Sequence, residues 1–142
     1  MKRRVLAGLA VTVSLTLAAG GPALGKGSRS GVYSAEQADE GARVYATQCA
    51  MCHGARLEGS VETPGLVGKF VANWAGRPLG DLFDYLARAM PQSSPGSLTP
   101  QDNARLMAFI LRANGAPTGD APLPADAAAL RRMGFQPGGF ES

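Results

Sequence analysis

The sequence predicts an all-α protein of about three main helices joined by long loops. Three stretches carry apolar residues at the three-to-four-residue spacing of an amphipathic helix. No stretch alternates apolar and polar residues as a half-buried strand does. The 19 glycines and 10 prolines among 142 residues favour turns and irregular segments between those helices.

The first 25 residues have the pattern of a secretory signal peptide. Basic residues 2–4 precede an apolar stretch over about 5–17, and small residues lead to Gly25. The apolar stretch is shorter than the roughly 20 residues that a membrane-spanning helix requires. We therefore expect cleavage after about Gly25, a periplasmic protein and no stable membrane span. The alternative is an anchor formed by an uncleaved N-terminal helix.

Cleavage there would leave roughly 117 residues, the size of one domain. We expect a flexible start over residues 26–33, which are rich in Gly, Ser and basic side chains. Without the three basic residues of the leader, 11 Lys and Arg stand against 11 Asp and Glu, so the mature chain is formally neutral. Nucleic-acid binding depends on clustered positive charge and is not expected.

The first helix is predicted to begin after Ser34. Ser34 and Gln37 form a capping-box pattern, in which each side chain would cap the backbone N–H of the other. Apolar and small residues then recur at helical spacing as far as Cys49, with charged residues opposite.

This helix leads into Cys-Ala-Met-Cys-His at residues 49–53, which contains both cysteines and the single histidine of the chain. In a C-x-x-C-H segment two thiols can add across the two vinyl groups of a porphyrin, while the adjacent imidazole binds its iron. The segment predicts one covalent haem c, attached through Cys49 and Cys52, with His53 as the proximal metal ligand. A porphyrin would also add apolar mass to a chain in which aromatic residues are only 6%.

Three other interpretations of the motif are weaker. A structural zinc site needs four ligands, and Cys and His together number three in this chain. A thioredoxin-like pair would stand within a βαβ pattern, whose strands are missing from the sequence. A disulfide between such near neighbours is geometrically awkward and would leave His53 without a role.

Residues 54–77 show neither the helical nor the strand spacing of apolar residues and are rich in glycine. We therefore predict a loop around the cofactor edge. A second amphipathic helix is predicted from about Pro78 to Ala89. Pro91 ends it and leaves Met90 at the junction with a loop of turn-forming residues, 91–98.

The third helix is predicted to begin with Thr99 as N-cap and Pro100 at its first position, and to stop at Asn114-Gly115. The helical domain would then cover residues 34–115. Residues 116–142 form a Pro- and Gly-rich tail with one short helix candidate, near 126–133. The sequence leaves open whether this tail packs against the domain.

The attachment motif lies between amphipathic helices and is followed by Met90-Pro91 and by Pro-Gly-Ser-Leu-Thr at 95–99. This combination resembles the small class I c-type cytochromes, most closely the monohaem cytochromes that accompany bacterial quinoprotein (PQQ) alcohol dehydrogenases. The resemblance covers residues 36–115.

The resemblance implies a cytochrome c fold, in which an N-terminal helix crosses a C-terminal helix beside one haem. The matching contact would join Gly41 and Tyr45 to Leu106 and Phe109. For these four residues we expect ordinary core packing.

Met90 is the expected distal metal ligand. His53 is the single histidine, so the sixth position falls to a methionine, a lysine or an open site. Met51, inside the attachment segment, and Met107, in the third helix, are both expected to be core residues. In the resembled family the residue at the place of Met90 binds the iron; the alternative for Met90 is a gap-filling core residue.

The resemblance also suggests supporting contacts around the haem. The second ring nitrogen of His53 would donate to the carbonyl of Pro64. Trp74 and Arg77 stand where the family hydrogen-bonds the haem propionates, with core packing and a surface charge as their alternatives.

With His53 and Met90 on the iron, no position remains for a substrate. We therefore expect an electron carrier rather than an enzyme, with redox protein partners such as a periplasmic dehydrogenase and an oxidase or another cytochrome. One alternative is a haem subunit that docks through residues 116–142 onto a quinoprotein dehydrogenase or other respiratory enzyme. Another is a gas-binding or sensing haem protein with a labile distal ligand.

Overall fold

The computed structural model describes residues 31–135, so the predicted signal peptide lies outside the described residues. This part of the chain is mainly helical and contains no β-sheet, with two isolated bridges between single residues. The predicted all-α class and its three main helices are confirmed. The long helices are α1 (Ala35–Gln48), α4 (Leu79–Ala89) and α5 (Pro100–Ala113). The short ones are α2 (Ala50–His53), α3 (Lys69–Trp74) and α6 (Ala127–Leu130). No helix within 31–135 is both long and apolar enough to cross a membrane.

The N-terminus of α1 follows the predicted capping, with one correction. The Ser34 hydroxyl accepts from the Gln37 N–H at 3.1 Å, which caps α1 as expected. The Gln37 side chain does not complete the capping box. Its Nε2 donates to the Leu123 carbonyl at 3.0 Å, and its Oε1 accepts from the Leu123 N–H at 2.8 Å. A buried amide that finds two backbone partners in the C-terminal segment satisfies both its donor and its acceptor there.

Helices α1 and α5 cross closely at Gly41. A Cβ at this position would overlap the carbonyl oxygen of Arg105 and lie 2.9 Å from the Cβ of Phe109. Next to this contact the rings of Tyr45 and Phe109 pack with centroids 5.1 Å apart. The predicted core packing of these two helices is present, although Gly41 meets the backbone of Arg105 more closely than any side chain.

The segment predicted as a loop over 54–77 contains the short helix α3, which is a correction. Its six residues are too few to display a hydrophobic period, so no sequence pattern marks the helix. The helix is stabilised by long-range packing. Phe70 is buried, and its ring lies edge-on to Phe135 at a centroid distance of 6.4 Å.

The C-terminal segment packs against the helices as far as the structure describes it. The buried Tyr33 donates its hydroxyl to the Ala116 carbonyl at 2.7 Å, and the Gly119 N–H donates back to the Tyr33 carbonyl at 2.7 Å. Tyr33 is fully buried, so the end of the segment that was predicted to be flexible packs against the domain. Four apolar side chains of the described C-terminal segment join the core: Ala116, Leu123, Leu130 and Phe135.

Helix α6 lies within the range predicted for a short helix, and Asp126 caps it by accepting from the Ala129 N–H at 2.7 Å. It packs on α4 at Gly80, where a Cβ would lie 2.5 Å from the Ala127 carbonyl oxygen. The C-terminal segment also fixes the turn between α3 and α4. Gly76 donates to the Phe135 carbonyl at 3.1 Å, and Phe135 donates to the Arg77 carbonyl at 3.0 Å.

Candidate functional site

The residues of the C-x-x-C-H motif lie on one helical turn. Cys49 is the C-cap of α1, and its carbonyl accepts from the N–H groups of Cys52 at 3.1 Å and His53 at 2.9 Å. Residues three and four positions apart on a helix share a face. The structure thus places Cys49, Cys52 and His53 side by side, with Cys49 half-buried and Cys52 exposed, and both thiols are free.

The thiol of Cys49 is not activated for redox exchange. Burial, followed by the proximity of Cys52, raises the pKa of the Cys49 thiol to about 11. Cysteines that catalyse disulfide exchange have a lowered pKa, because the thiolate is their reactive form. The environment of Cys49 therefore disfavours the thioredoxin-like interpretation.

His53 has distinct surroundings at its two ring nitrogens. Its Nδ1 lies 2.8 Å from the Pro64 carbonyl oxygen, so the predicted pairing is confirmed. A carbonyl can only accept, so this contact places the proton on Nδ1. Nε2 is then the nitrogen with a lone pair for a metal, as is usual where a ligating histidine donates its other ring N–H to a carbonyl.

The loop that carries Pro64 is fixed at both ends. The Gly59 N–H donates to the His53 carbonyl at 2.8 Å, which folds the chain back directly after the motif. At the other end the buried Asn114 amide donates to the Leu66 carbonyl at 2.9 Å. The sequence predicted Asn114 only as a helix stop. Nothing in its local pattern indicates a partner 48 positions earlier.

Tyr45 makes a contact to the motif that the sequence analysis missed. Its hydroxyl donates to the Gly54 carbonyl at 2.6 Å, and Gly54 directly follows His53. Burial raises the pKa of Tyr45 to about 12, with smaller contributions from nearby Cys49 and Glu58, so the phenol stays protonated at neutral pH. The available signal was the residue type, because a buried tyrosine hydroxyl usually requires a hydrogen-bond partner where phenylalanine would not.

Met90 stands where the sequence placed it, at the end of α4. It is the C-cap residue in extended conformation, and its N–H donates to the Leu86 carbonyl at 3.1 Å. The extended backbone takes the side chain out of the helical direction. Met90 lies outside the turn that holds the thiols and the imidazole. Its side chain is half-buried and packs against the apolar core, as do the partly buried side chains of Leu66, Val67, Val71, Trp74 and Leu98.

Of the other methionines, Met107 is fully buried, as predicted, whereas Met51 is 94% exposed. The prediction of Met51 as a core residue was wrong. In α2 successive side chains are about 100° apart, so Met51 points away from the face shared by Cys49 and His53. The two residues between the cysteines therefore cannot both face the interior.

Trp74 and Arg77 form a stacked pair beside α4. The Arg77 guanidinium lies 4.6 Å from the centroid of the Trp74 ring, and it also faces the Asp81 carboxylate at 3.6 Å. The Trp74 ring also packs against Tyr85, with centroids 5.8 Å apart. A planar guanidinium over an aromatic face is held by cation–π attraction. Arg77 is thus more constrained than an ordinary surface charge.

The donor set of these residues fits a haem. Two thiols on one turn could provide the covalent attachment, the Nε2 of His53 could serve as a nitrogen ligand and the Met90 thioether as a sulfur ligand. In the described part of the chain the two thiols, the ring of His53 and the carbonyl of Pro64 come together, and Met90 remains the predicted distal ligand.

Comparison with known proteins gives a family and a fold. The model of the family described as "Cytochrome C oxidase, cbb3-type, subunit III" matches residues 36–110, which is more than half of the chain. The crystal structure of the sulfane dehydrogenase SoxCD from Paracoccus pantotrophus is similar with a TM-score of 0.50 and 24% identity over 69% of this chain. The match covers 52% of the SoxCD chain, so this protein spans about half of its length. At that identity the likeness shows the fold alone. No curated protein matches the sequence.

Proposed function

Because the chain belongs to the family of cbb3-type cytochrome c oxidase subunit III and contains a cytochrome c domain, we propose that it is a one-electron carrier with a single haem c. The observation that carries this proposal is the pairing of His53 with Pro64 at 2.8 Å. It leaves Nε2 available for iron on the same helical turn that presents the two thiols.

Four residues would hold the cofactor in this proposal. Cys49 and Cys52 would attach it through thioethers, His53 would be the proximal ligand and Met90 the distal ligand. When bound, the haem supplies a reversible one-electron couple at its iron. The protein fixes the imidazole through Pro64, which also makes His53 a stronger donor to the metal.

A saturated iron favours electron transfer over gas binding. A protein that binds carbon monoxide or oxygen keeps a sixth position open or easily vacated. Met90 would occupy that position from the end of α4, where its side chain is half-buried against the apolar core. This supports a carrier rather than a gas sensor.

The packing of the C-terminal segment bears on the alternative of a docked subunit. In its described part, residues 116–135, the side chains of Leu123, Leu130 and Phe135 are at most 3% exposed because they pack within the same chain. They are therefore not available to anchor a larger enzyme. We propose exchange of electrons with separate redox proteins, such as a periplasmic dehydrogenase as donor and an oxidase or another cytochrome as acceptor.

The proposed location is the periplasm, after removal of residues 1–25. The basic, apolar and small residues of this leader support export. In an oxidising compartment, thioether formation would also protect both thiols from oxidation to a disulfide. An uncleaved leader that anchors the domain to the membrane is the second possibility.

A redox titration with carbon monoxide as competitor tests the proposal. The purified protein should take up one electron per chain in a reversible step, and its ferrous form should not bind carbon monoxide promptly at neutral pH. Prompt binding would instead assign the protein to the gas-binding class. On size-exclusion of native extracts the carrier should elute at the size of the free chain, whereas co-elution with a dehydrogenase would indicate a docked subunit.

A further inference from the structure

Two buried tyrosines each donate a short hydrogen bond to a backbone carbonyl. The Tyr33 hydroxyl lies 2.7 Å from the Ala116 oxygen, and the Tyr45 hydroxyl lies 2.6 Å from the Gly54 oxygen. Both tyrosines are at most 2% exposed; the bond of Tyr33 is buried and that of Tyr45 is partly buried. They differ in their acceptors, because Ala116 belongs to the C-terminal segment and Gly54 directly follows His53.

The backbone at Gly54 has little freedom. Its φ of +80° is unfavourable for other residues, and a Cβ there would overlap the side chain of Glu58. Besides Tyr45, the Gly54 carbonyl accepts a longer bond of 3.3 Å from the Leu57 N–H. The Tyr45 bond is therefore the shorter of the two contacts that fix this peptide plane.

The Tyr45 side chain is also fixed by a ring contact with helix α5. Its ring packs on Phe109 of α5 at a centroid distance of 5.1 Å, next to the close crossing of α1 and α5 at Gly41. The hydroxyl thus connects the tightest helix contact of the domain to the peptide that follows His53. A phenylalanine at this position would keep the ring contact with Phe109 and lose only the hydrogen bond to the Gly54 carbonyl.

We propose that the Tyr45 hydroxyl is a positioning group for His53, which fixes the turn after the imidazole and thereby keeps the Nδ1–H aligned with the Pro64 carbonyl. The inference rests on the proposed function, since it concerns His53 as a ligand. In this proposal Tyr45 acts through the backbone of Gly54, whose carbonyl accepts its hydroxyl hydrogen bond at 2.6 Å.

Loss of the hydroxyl has a predictable effect on the ligand. The Gly54 carbonyl would keep only the longer bond from Leu57, so the turn would gain freedom and the bond from His53 to Pro64 would weaken. A ligating imidazole whose second nitrogen donates less strongly is a poorer electron donor. The ferric state would then be less stabilised, and the reduction potential of the protein would rise.

The test compares Tyr45→Phe with Tyr33→Phe, which removes an equivalent bond from a buried tyrosine far along the chain from His53. Two quantities are measured in the haem-loaded proteins: the reduction potential and the solvent-exchange rate of the His53 Nδ1 proton by NMR. In Tyr45→Phe the potential should rise and the proton should exchange about tenfold faster, the factor expected for loss of one hydrogen bond. In Tyr33→Phe both should equal the wild-type values, although its stability falls too.

Equal potentials and exchange rates in the two variants would overturn the inference and leave the proposed function intact. A wild-type protein without a haem couple would overturn both. Should Tyr45→Phe fail to mature, 3-fluorotyrosine at position 45 supplies a second test. Its more acidic phenol is a stronger donor, so the potential should fall; an unchanged or higher potential would contradict the positioning role.

Discussion

At the scale of single residues, the chemistry of the site depends on how neighbouring groups use the two nitrogens of His53. Pro64 accepts from Nδ1 at 2.8 Å, and this contact alone decides which nitrogen is available to a metal. The cysteines contribute attachment rather than redox chemistry, because burial keeps Cys49 protonated with a raised pKa of about 11. The distal iron ligand, predicted to be Met90, can be identified by substitution.

Replacing Met90 with Ala should remove the thioether-to-iron charge-transfer band from the visible spectrum of the ferric protein. The reduction potential should also fall, since thioether ligation favours the ferrous state. Met51→Ala is the matched control, because the same substitution at a side chain that is 94% exposed should leave both quantities unchanged. A band that survives in Met90→Ala would refute the assignment.

Stability at high pH should depend on Tyr45. Burial raises its pKa from 10.0 to about 12, so the folded state holds the phenolic proton more tightly than the unfolded state does. This contribution is complete below pH 10 and is lost as the pH rises toward about 12. Urea unfolding across that window should show a steeper loss of stability in wild type than in Tyr45→Phe. A substitution at the exposed Tyr85, Tyr85→Phe, should leave the pH dependence unchanged, and identical curves for all three proteins would contradict the account.

The residue types alone predicted a large part of this site, and the exceptions have physical causes. Cys49, Cys52 and His53 could be identified because their spacing is required by the chemistry of attachment. The burial of Met51 was predicted wrongly because hydrophobicity ranks side chains without telling which side of a short helix they occupy. The bonds from Tyr45 to Gly54 and from Asn114 to Leu66 could not be foreseen, since no local pattern specifies a partner across a loop.

At the scale of elements, the crossing of α1 and α5 determines the frame to which the attachment motif is fixed. The helices touch where Gly41 faces the backbone of Arg105, and ion pairs flank the contact. Arg105 pairs with Glu40 at 2.8 Å, and Arg112 pairs with Asp39 at 2.6 Å. These pairs are largely exposed and contribute little stability of their own. The close packing is therefore the main source of stability at the crossing.

Gly41→Ala should destabilise the fold by about 1–3 kcal/mol, the usual cost of overpacking a tight contact. The added methyl group would overlap the Arg105 carbonyl, which belongs to helix backbone and cannot move without shifting α5. The free energy of unfolding in urea measures the effect. Ala46→Ser, on the exposed face of the same helix, should change that free energy by no more than about 0.5 kcal/mol. Equal free energies of unfolding for Gly41→Ala and Ala46→Ser would contradict this prediction and show that α1 and α5 can move apart at little cost.

The long helices were predictable because their caps and apolar faces are local features. Thr99, for example, accepts from the Asp102 N–H at 3.1 Å, as its place before Pro100 indicated. Helix α3 escaped prediction because its six residues are stabilised by contacts with Phe135, far along the chain. The role of Gln37 was predicted wrongly for the same reason. Its side chain hydrogen-bonds to Leu123, far along the chain, rather than to the adjacent helix end.

At the scale of the whole molecule, the described C-terminal segment is part of the folded domain. It closes over α3 and α4, where Leu79 donates to the Met133 carbonyl at 2.7 Å and Phe135 pairs with the turn at Arg77. This arrangement supports the turn that carries the Trp74 and Arg77 pair. A segment that the sequence described only by its Pro and Gly content thus contributes to the core.

Phe135→Ala should cost about 3–5 kcal/mol of unfolding free energy, as for other large-to-small substitutions at buried aromatic positions. Phe135 is 1% exposed, whereas Tyr85 is 44% exposed and makes a tilted ring contact with Trp74. Tyr85→Ala is therefore the control and should cost clearly less in the same urea titration. If the segment served instead to dock the chain onto another protein, Phe135→Ala would leave the stability of the isolated chain unchanged and abolish only the association.

The covalent haem is the claim on which the proposed function depends, and the intact mass of the denatured protein tests it most directly. The protein is produced with its leader in cells that mature c-type cytochromes, and its mass is measured under conditions that release any non-covalent cofactor. The account predicts a mass that exceeds the polypeptide beginning near residue 26 by one haem. The mass of the bare polypeptide would contradict it.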